Sequence, residues 1–328
     1  MKQFFKMMFA SIIGVLAAVG ILFFISTIFF IGMIGSIGSS PSYLPKSNTV
    51  YKISLKGTIT ENDIENPFAM FLGNSEVSLS MKSLLESIKD AKENSNIKGI
   101  YLEAGTMSLG SANIQTLRRA LTDFKESGKF LIAYGDYYTQ GNYYLCSVAD
   151  EVFMNPQGLI EITGLASQTM FYTGLLEKLG VEMEIFKVGT YKGAVEPFML
   201  DKLSDANREQ IQSYMNSIWG NITNGIAEGR NIAIEDINRF ADDALFFSAP
   251  EKAVEYGLIN ELKYKSEVEA YVKELAGQSE DKLRTVELDK MKNIKKSSNL
   301  RPNQIAVLYA EGEIMEAAPT SFYDVSST

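Results

Sequence analysis

The chain has 328 residues, 46% of them hydrophobic and 22% charged, and its formal net charge is −9. This length exceeds one typical domain and can bury a large core. Because an acidic chain repels phosphate backbones and the sequence has no basic stripe with interleaved aromatic residues, we expect no nucleic-acid binding. The sequence has no histidine, which excludes Ser-His-Asp and Cys-His catalysis and most zinc sites. We therefore expect neither a metal nor a cofactor, and we expect the single cysteine, Cys146, to pack as a small hydrophobic residue.

An apolar segment near the N-terminus predicts a transmembrane anchor over residues 7–35. No charged side chain occurs between residues 7 and 45, and a spanning helix needs about 20 apolar residues. Lys2 and Lys6 precede the segment, so the positive-inside rule places residues 1–6 in the cytoplasm and the rest of the chain outside. The alternative is a cleaved signal peptide, whose apolar region would be only about 7 to 15 residues long.

Beyond a Ser/Gly/Pro-rich connector at 36–47, the hydrophobic pattern predicts one domain over residues 48–277. Apolar alternation and short apolar runs predict strands, and apolar residues at three- and four-residue spacing predict helices. The predicted strands cover 49–57, 97–103, 130–134, 151–154 and 181–188. The predicted helices cover 81–91, 114–124, a short stretch from about 141, 173–179, a long helix capped by Ser204, and then 234–240, 250–256 and 266–276. This alternation is typical of βαβ units and predicts an α/β fold with a largely parallel sheet.

The C-terminal residues resemble the first strand of this domain. Asn303-Gln-Ile-Ala-Val-Leu-Tyr-Ala-Glu-Gly-Glu-Ile matches Asn48-Thr-Val-Tyr-Lys-Ile-Ser-Leu-Lys-Gly-Thr-Ile in its apolar pattern and in its Asn, Gly and Ile. We therefore expect a polar linker at 278–302, the start of a second repeat at 303–328, and a chain that ends before that repeat is complete. Chance similarity between two short strands is the alternative.

One lysine is a candidate general base. Gly189 and Gly193 bracket a turn that carries Lys192 after the predicted strand 181–188, and sites in parallel α/β sheets gather at the carboxyl ends of strands. The apolar residues around this lysine could exclude water, and desolvation favours a neutral amine, which can accept a proton from a serine hydroxyl. Without other information, an ordinary surface charge is the simpler interpretation of a lysine in a Gly-containing loop.

Four stretches of the sequence carry a family resemblance. Val188-Gly-Thr-Tyr-Lys-Gly-Ala-Val-Glu-Pro-Phe closely resembles the lysine motif of the signal peptide peptidase A (protease IV) family in its double-length form. Gly135-Asp-Tyr-Tyr-Thr-Gln-Gly-Asn-Tyr-Tyr-Leu, Asn155-Pro-Gln-Gly and Ile97-Lys-Gly-Ile are similar to further parts of that family. The resemblance implies a ClpP/crotonase-like fold in two tandem repeats. It also implies that Lys192 is the general base and that the second repeat supplies the serine and the oxyanion-binding amides.

The resemblance also assigns positions in the first repeat. Gln140 occupies the place that corresponds to the serine, and the 103–110 segment stands where the second repeat carries its oxyanion loop, so we expect that segment to be structural here. Ser147, Ser167 and Ser204 are the serines nearest to these elements, and we do not expect any of them to act as the nucleophile.

The implied function is a single-pass serine peptidase of the bacterial inner membrane with a Ser/Lys dyad. It would degrade cleaved signal peptides or other short hydrophobic peptides and assemble into homo-oligomers, and this chain without its serine would be inactive. One alternative is a catalytically inactive membrane-anchored scaffold of the same fold, which would lack a serine in a Gly-rich turn downstream. The other is a crotonase-type enzyme acting on acyl-CoA, which would require the globular part to be cytoplasmic.

Overall fold

The computed structural model describes residues 2–37, 42–62, 79–294 and 307–308. Residue contacts divide the chain into two units, 1–295 and 296–328. In the second unit only Val307 and Leu308 are described, and both are exposed. Apart from these two residues, the predicted start of a second repeat at 303–328 lies outside the described residues, as does the end of the predicted linker at 278–302.

The N-terminal helix α1 covers Lys2–Ile37. Its segment Lys2–Ile31 has a mean hydropathy of 2.7 over its most apolar window, and none of that window is buried by the rest of the protein. At 1.5 Å per residue, 30 residues give a helix of about 45 Å, which is longer than the roughly 30 Å hydrocarbon core of a bilayer. This helix has the length and composition of the predicted membrane anchor.

The described residues contain a seven-stranded sheet in which every pairing is parallel. The strands are β1 (Thr49–Thr60), β2 (Leu79–Ser80), β3 (Ile97–Ser108), β4 (Phe130–Tyr138), β5 (Glu151–Ile160), β6 (Glu261–Leu262) and β7 (Thr285–Val286). Their order is β2-β1-β3-β4-β5-β6, and β7 pairs with the outer edge of β1. The predicted α/β class with a parallel sheet is confirmed.

The helices follow the strands in the predicted alternation. The longer ones are α2 (Met81–Glu93), α3 (Ser111–Lys125), α4 (Gln140–Cys146), α5 (Thr173–Lys178), α6 (Asp205–Arg230), α7 (Ile234–Asp242) and α9 (Lys265–Leu275). The shorter ones are α8 (Glu251–Glu255), α10 (Leu288–Met291) and two 3₁₀ turns, Gly193–Phe198 and Leu245–Phe247. Ser80 caps α2 by accepting a hydrogen bond from the Ser83 amide. Ser204, which the sequence predicts as a cap, accepts from the Asn207 amide at the start of α6.

Two hydrophobic layers enclose the sheet because its side chains alternate between its faces. On one face, Ile100 and Leu102 of β3 belong to a large core with the apolar stripes of α2, α3 and α4. On the other face, Tyr101 belongs to a smaller core in which Val268 and Val272 of α9 are buried. Helices thus cover both sides of the sheet, as a βαβ arrangement requires.

Two elements differ from the prediction. β3 continues to Ser108 because Gly57 and Thr58 of β1 extend the ladder to Met107 and Ser108, so most of the 103–110 segment is strand rather than loop. The predicted strand at 181–188 is absent: these residues have no regular structure, and none of them is buried.

Candidate functional site

Lys192 lies in an exposed segment, residues 163–200, that we call the lysine segment. A turn at 189–191 precedes the lysine, and the 3₁₀ turn Gly193–Phe198 follows it. Gly189 has a φ of +99°, a left-handed conformation that strains residues with a Cβ atom. Lys192 therefore lies on a tight turn of the lysine segment, as the sequence predicts.

Lys192 lines an open recess of about 470 Å³. Phe186, Val188 and Tyr191 give the recess an apolar wall, and Asn207 and Gln210 at the start of α6 add polar groups. The side chains of Phe186 and Val188 are 89% and 90% exposed. An apolar surface of this kind could bind a hydrophobic peptide next to the Lys192 amine, which could act as a base.

The predicted solvation of Lys192 is wrong for this chain by itself. The sequence suggested that flanking apolar residues shield the amine, but Lys192 and most of those residues are exposed. The reason is that residues 181–188 do not form a strand. Because this stretch pairs with no neighbouring strand, its alternating apolar side chains do not pack into a core.

Glu196 fixes the turn that follows the lysine. Its carboxylate accepts hydrogen bonds from the Ser204 hydroxyl at 2.5 Å, the Ser204 amide at 3.1 Å and the Asn207 side-chain amide at 2.9 Å. The hydrogen bond from Ser204 lowers the pKa of Glu196, burial acts in the opposite direction, and the hydrogen bond from Asn207 lowers it further. The carboxylate also lies at the N-terminus of α6, where the helix dipole favours a negative charge. Sequence reasoning did not identify this contact.

Gln140, for which the resemblance implies the place of the serine, makes structural hydrogen bonds. It is the first residue of α4 and follows the last residue of β4 by two positions. Its side-chain oxygen accepts hydrogen bonds from the amides of Thr163 and Gly164 at 2.9 and 3.0 Å, and its amide nitrogen donates to the Gly164 carbonyl at 3.1 Å. Gln140 thus ties the beginning of the lysine segment to the end of the sheet.

The three candidate serines have different environments. Ser147 is buried and accepts a hydrogen bond from Arg118 at 2.8 Å. Ser204 donates to Glu196 and accepts from the Asn207 amide at 3.2 Å, so its hydroxyl is engaged in capping α6. Ser167 is exposed on the lysine segment. The buried and capping environments of Ser147 and Ser204 account for these two residues without a catalytic role.

A second group of charges, three on the sheet and one at the start of α9, was not predicted. The side chain of Glu103 is only 9% exposed and forms ion pairs with Lys52 at 2.6 Å, Lys265 at 2.8 Å and Lys56 at 3.3 Å. Burial raises the pKa of Glu103, but hydrogen bonds from Lys265 and Lys52 and their charges lower it more, to about 2. We call these four residues the charge cluster.

The described residues offer no evident metal site. No group of three or more His, Cys, Asp or Glu side chains among them has an arrangement that could hold a metal ion. Cys146 is buried, and burial raises the pKa of its thiol to about 12. A thiol in this environment packs as a hydrophobic group and is a poor nucleophile.

Comparison with known proteins assigns the family. Residues 123–279, which include Lys192, match peptidase family S49. The chain is 32% identical over 244 residues to Protease 4 of Haemophilus influenzae and 30% identical over 248 residues to Protease 4 of Salmonella typhi. The chain belongs to the signal peptide peptidase A family. A plant member, the chloroplastic serine protease SPPA of Arabidopsis thaliana, is 31% identical over 240 residues.

This signal peptide peptidase A chain aligns with only part of each relative. The match covers 70% of the chain and 39% of the Haemophilus protease, 74% and 40% for the Salmonella protease, and 72% and 35% for the Arabidopsis protease. The chain thus spans about two fifths of the length of the two bacterial proteases that it matches.

Solved structures are similar to this chain at low TM-scores. A membrane-bound stomatin-specific protease has a TM-score of 0.37 and 13% identity, covering 69% of this chain and 85% of its own. An enoyl-CoA hydratase/isomerase family protein from Silicibacter pomeroyi has a TM-score of 0.35 and 12% identity, covering 74% and 86%. At these scores the likenesses do not bear on activity.

Proposed function

We propose that this chain contributes the general base, Lys192, to a membrane-anchored serine peptidase with a Ser/Lys dyad. The observation that carries the proposal is the position of Lys192 on an apolar recess, inside the 123–279 region that matches peptidase family S49. The nucleophilic serine would come from a region outside the residues described here. The 328-residue chain by itself would then be inactive.

The chemistry requires an uncharged lysine amine. A neutral amine accepts the proton of the serine hydroxyl as that oxygen attacks the peptide carbonyl, and it then donates the proton to the leaving amine. Because Lys192 is exposed in this chain, we propose that substrate and the serine-bearing region cover the recess and remove water from it. Removal of water disfavours the ammonium form and activates the base.

The recess also supports a proposal for the substrate class. Its exposed apolar wall, formed by Phe186, Val188 and Tyr191, suits an extended hydrophobic peptide better than a charged one. We propose cleaved signal peptides or other short hydrophobic peptides as substrates. Such peptides are released at membranes, where α1 would hold the enzyme.

We propose that α1 spans the bacterial inner membrane once. By the positive-inside rule, Lys2 and Lys6 at its start support a cytoplasmic N-terminus and a globular part outside. Resistance of the protein to extraction from membranes by alkaline carbonate would support the anchor. Digestion of the globular part by protease added to spheroplasts would support the orientation, and protection from it would contradict it.

The exposed apolar residues of the lysine segment support a homo-oligomer. Met170, Leu175, Leu179, Phe186 and Val188 are each at least 55% exposed, more than an isolated soluble surface usually shows in one stretch. We propose that the complete protein buries this surface between its parts and between copies. Light scattering of the detergent-solubilised natural protein would detect a single monomeric species if this proposal is wrong.

The test of the function is Lys192→Ala in the natural full-length protein. Its hydrolysis of a quenched fluorescent apolar peptide should fall to the background rate, whereas Lys178→Ala, an exposed lysine of the same segment, should keep the wild-type rate. Unchanged thermal unfolding would show that both variants fold. Retained hydrolysis by Lys192→Ala would refute the assigned base, and a wild-type protein without peptidase activity would favour the membrane-anchored scaffold instead.

A further inference from the structure

The lysine segment contains one buried residue, and that residue is charged. Between residues 163 and 200 every residue except Glu196 is partly or fully exposed, including all of the apolar ones. Glu196 has no exposed surface. A segment normally gains its fixed position by burying apolar side chains, so this one depends on another kind of anchor.

The anchor is the set of hydrogen bonds to the start of α6. A buried carboxylate is costly unless it is fully hydrogen-bonded, and Glu196 meets this requirement with two donors from Ser204 and one from Asn207. Hydrogen bonds to a charged group are about twice as strong as those between neutral groups. The carboxylate therefore binds the 3₁₀ turn tightly to the helix.

The same contact explains a glycine beside the lysine. A Cβ atom on Gly193 would lie 2.3 Å from the side-chain nitrogen of Asn207, which is closer than real Cβ contacts allow. Gly193 thus lets the backbone next to Lys192 approach the side chain that also donates to Glu196. Lys192 is bonded directly to Gly193 and precedes Glu196 by four positions, so the anchor limits the movement of the lysine backbone.

Helix α6 connects the Glu196 contact to the core of the domain. Thr223, Gly225 and Ile226 in its C-terminal half are buried, and Arg118 donates hydrogen bonds to the carbonyl oxygens of Gly225 and Tyr144. The N-terminal half, with Ser204 and Asn207, extends to the lysine segment. A rigid helix of 26 residues thus connects the packed core to the turn that bears the base.

We infer that Glu196 is the positioning residue of the peptidase: its buried carboxylate, held by Ser204 and Asn207, fixes the turn on which Lys192 is presented to the serine. The inference rests on the proposed function, because it needs Lys192 to be the base. The hydrogen bonds of the Glu196 carboxylate go to Ser204 and Asn207, so we assign it an indirect role. Its effect is on the geometry of the dyad, where a misplacement of about 1 Å can lower the rate about 100-fold.

The test compares three variants of the natural full-length protein. Glu196→Ala removes the anchor and should lower kcat by about 10- to 100-fold with a much smaller change in KM. Glu196→Gln should stay within about threefold of the wild-type kcat, because its amide oxygen can accept from the Ser204 amide and Asn207 while its NH₂ donates to the Ser204 hydroxyl. Glu177→Ala, an exposed glutamate on α5 of the same segment, is the control and should match the wild type.

Hydrogen exchange gives a readout that does not require activity. In Glu196→Ala, amides of residues 189–200 should exchange faster than in the wild type, while those of β3 and β4 should keep their protection. If Glu196→Ala does not yield folded protein, Ser204→Ala removes one donor to the carboxylate, and Ser80→Ala at the cap of α2 controls for the loss of a helix cap.

The outcomes separate this inference from the proposed function. An inactive Lys192→Ala together with an unimpaired Glu196→Ala, or with unchanged exchange at 189–200, would overturn the inference and leave the function standing. Retained activity in Lys192→Ala would instead refute the function. A lower kcat, faster local exchange and recovery in Glu196→Gln together would support the positioning role.

Discussion

The charge cluster makes a prediction about how stability depends on pH. Glu103 is nearly buried between Lys52 and Lys265, and its pKa in the folded protein is about 2, against an ordinary value of 4.5. A carboxyl whose pKa is lower in the folded state stabilises that state at pH values above its ordinary pKa. This contribution is lost as the pH falls from about 4.5 towards 2.

The magnitude follows from the difference between the two pKa values. Since one pKa unit corresponds to about 1.4 kcal/mol, the ionised carboxylate contributes up to about 3 kcal/mol at pH 7. Glu103→Gln has nearly the same shape without the charge, and it leaves the partly buried Lys52 without its counter-ion. We therefore expect Glu103→Gln to lower the free energy of unfolding by about 2–3 kcal/mol at pH 7, with the difference from wild type disappearing near pH 2.

The measurement uses the single tryptophan of the chain, Trp219 on α6. Its fluorescence during urea unfolding of the full chain in a mild detergent gives the free energy at each pH. Glu255→Gln removes an exposed partner of Lys252 and should change stability by less than about 1 kcal/mol at every pH. Equal losses in the two variants, or a loss for Glu103→Gln that is the same at pH 7 and pH 3, would refute the reasoning.

Two further predictions concern packing. In Gly229→Ala the new Cβ would lie 2.2 Å from the backbone oxygen of Ser147, so thermal unfolding should show that the free energy of unfolding falls by about 1–3 kcal/mol. In Gly220→Ala on the same helix the new Cβ meets no atom within 4 Å, so this variant should be neutral or more stable by up to about 1 kcal/mol. Equal effects of the two substitutions would contradict this account of α6 packing. Burial holds the thiol pKa of Cys146 at about 12, so a maleimide should label it only after unfolding in urea, and rapid labelling of the folded chain would show that the thiol is accessible.

The parts of the fold that could be predicted from sequence are those with a strong periodic pattern. In α2 the buried residues Met81, Leu84, Ile88 and Ala91 recur at helical spacing, and the helix was predicted within two residues of its ends. The central strands were predicted because each is a buried apolar run between polar turns. Strands of two residues, such as β6 and β7, were missed because two residues carry no period.

The failure at 181–188 has a different cause. Val-Glu-Met-Glu-Ile-Phe-Lys-Val alternates as a half-buried strand does, and local pattern alone cannot distinguish a strand from an exposed extended chain. A strand also needs a partner for its backbone groups, and the sheet of the described residues provides none for this stretch. The apolar alternation therefore indicated a preference for strand that the tertiary structure does not satisfy.

The charge cluster shows a similar limit for polar contacts. Ser54 pairs with Glu103 in the ladder between β1 and β3, which brings Lys52 and Lys56 to either side of the carboxylate. The sequence separates these residues by about fifty positions, and only the strand register determines that they meet. Since the register was not predicted, the cluster could not be.

The lysine and its anchor differ in how they could be found. Lys192 was identified through a motif, because the residues around it are neighbours in the sequence. Glu196 belongs to the same motif, but its importance depends on Ser204 and Asn207, whose approach becomes visible only when α6 is placed. A sequence motif is enough to identify the base, but the position of that base relative to a serine depends on how firmly the turn is held. Glu196 is the one buried residue of the lysine segment, and its carboxylate holds the turn beside Lys192 to α6. Loss of the Glu196 contact should therefore impair the peptidase even where Lys192 itself is intact.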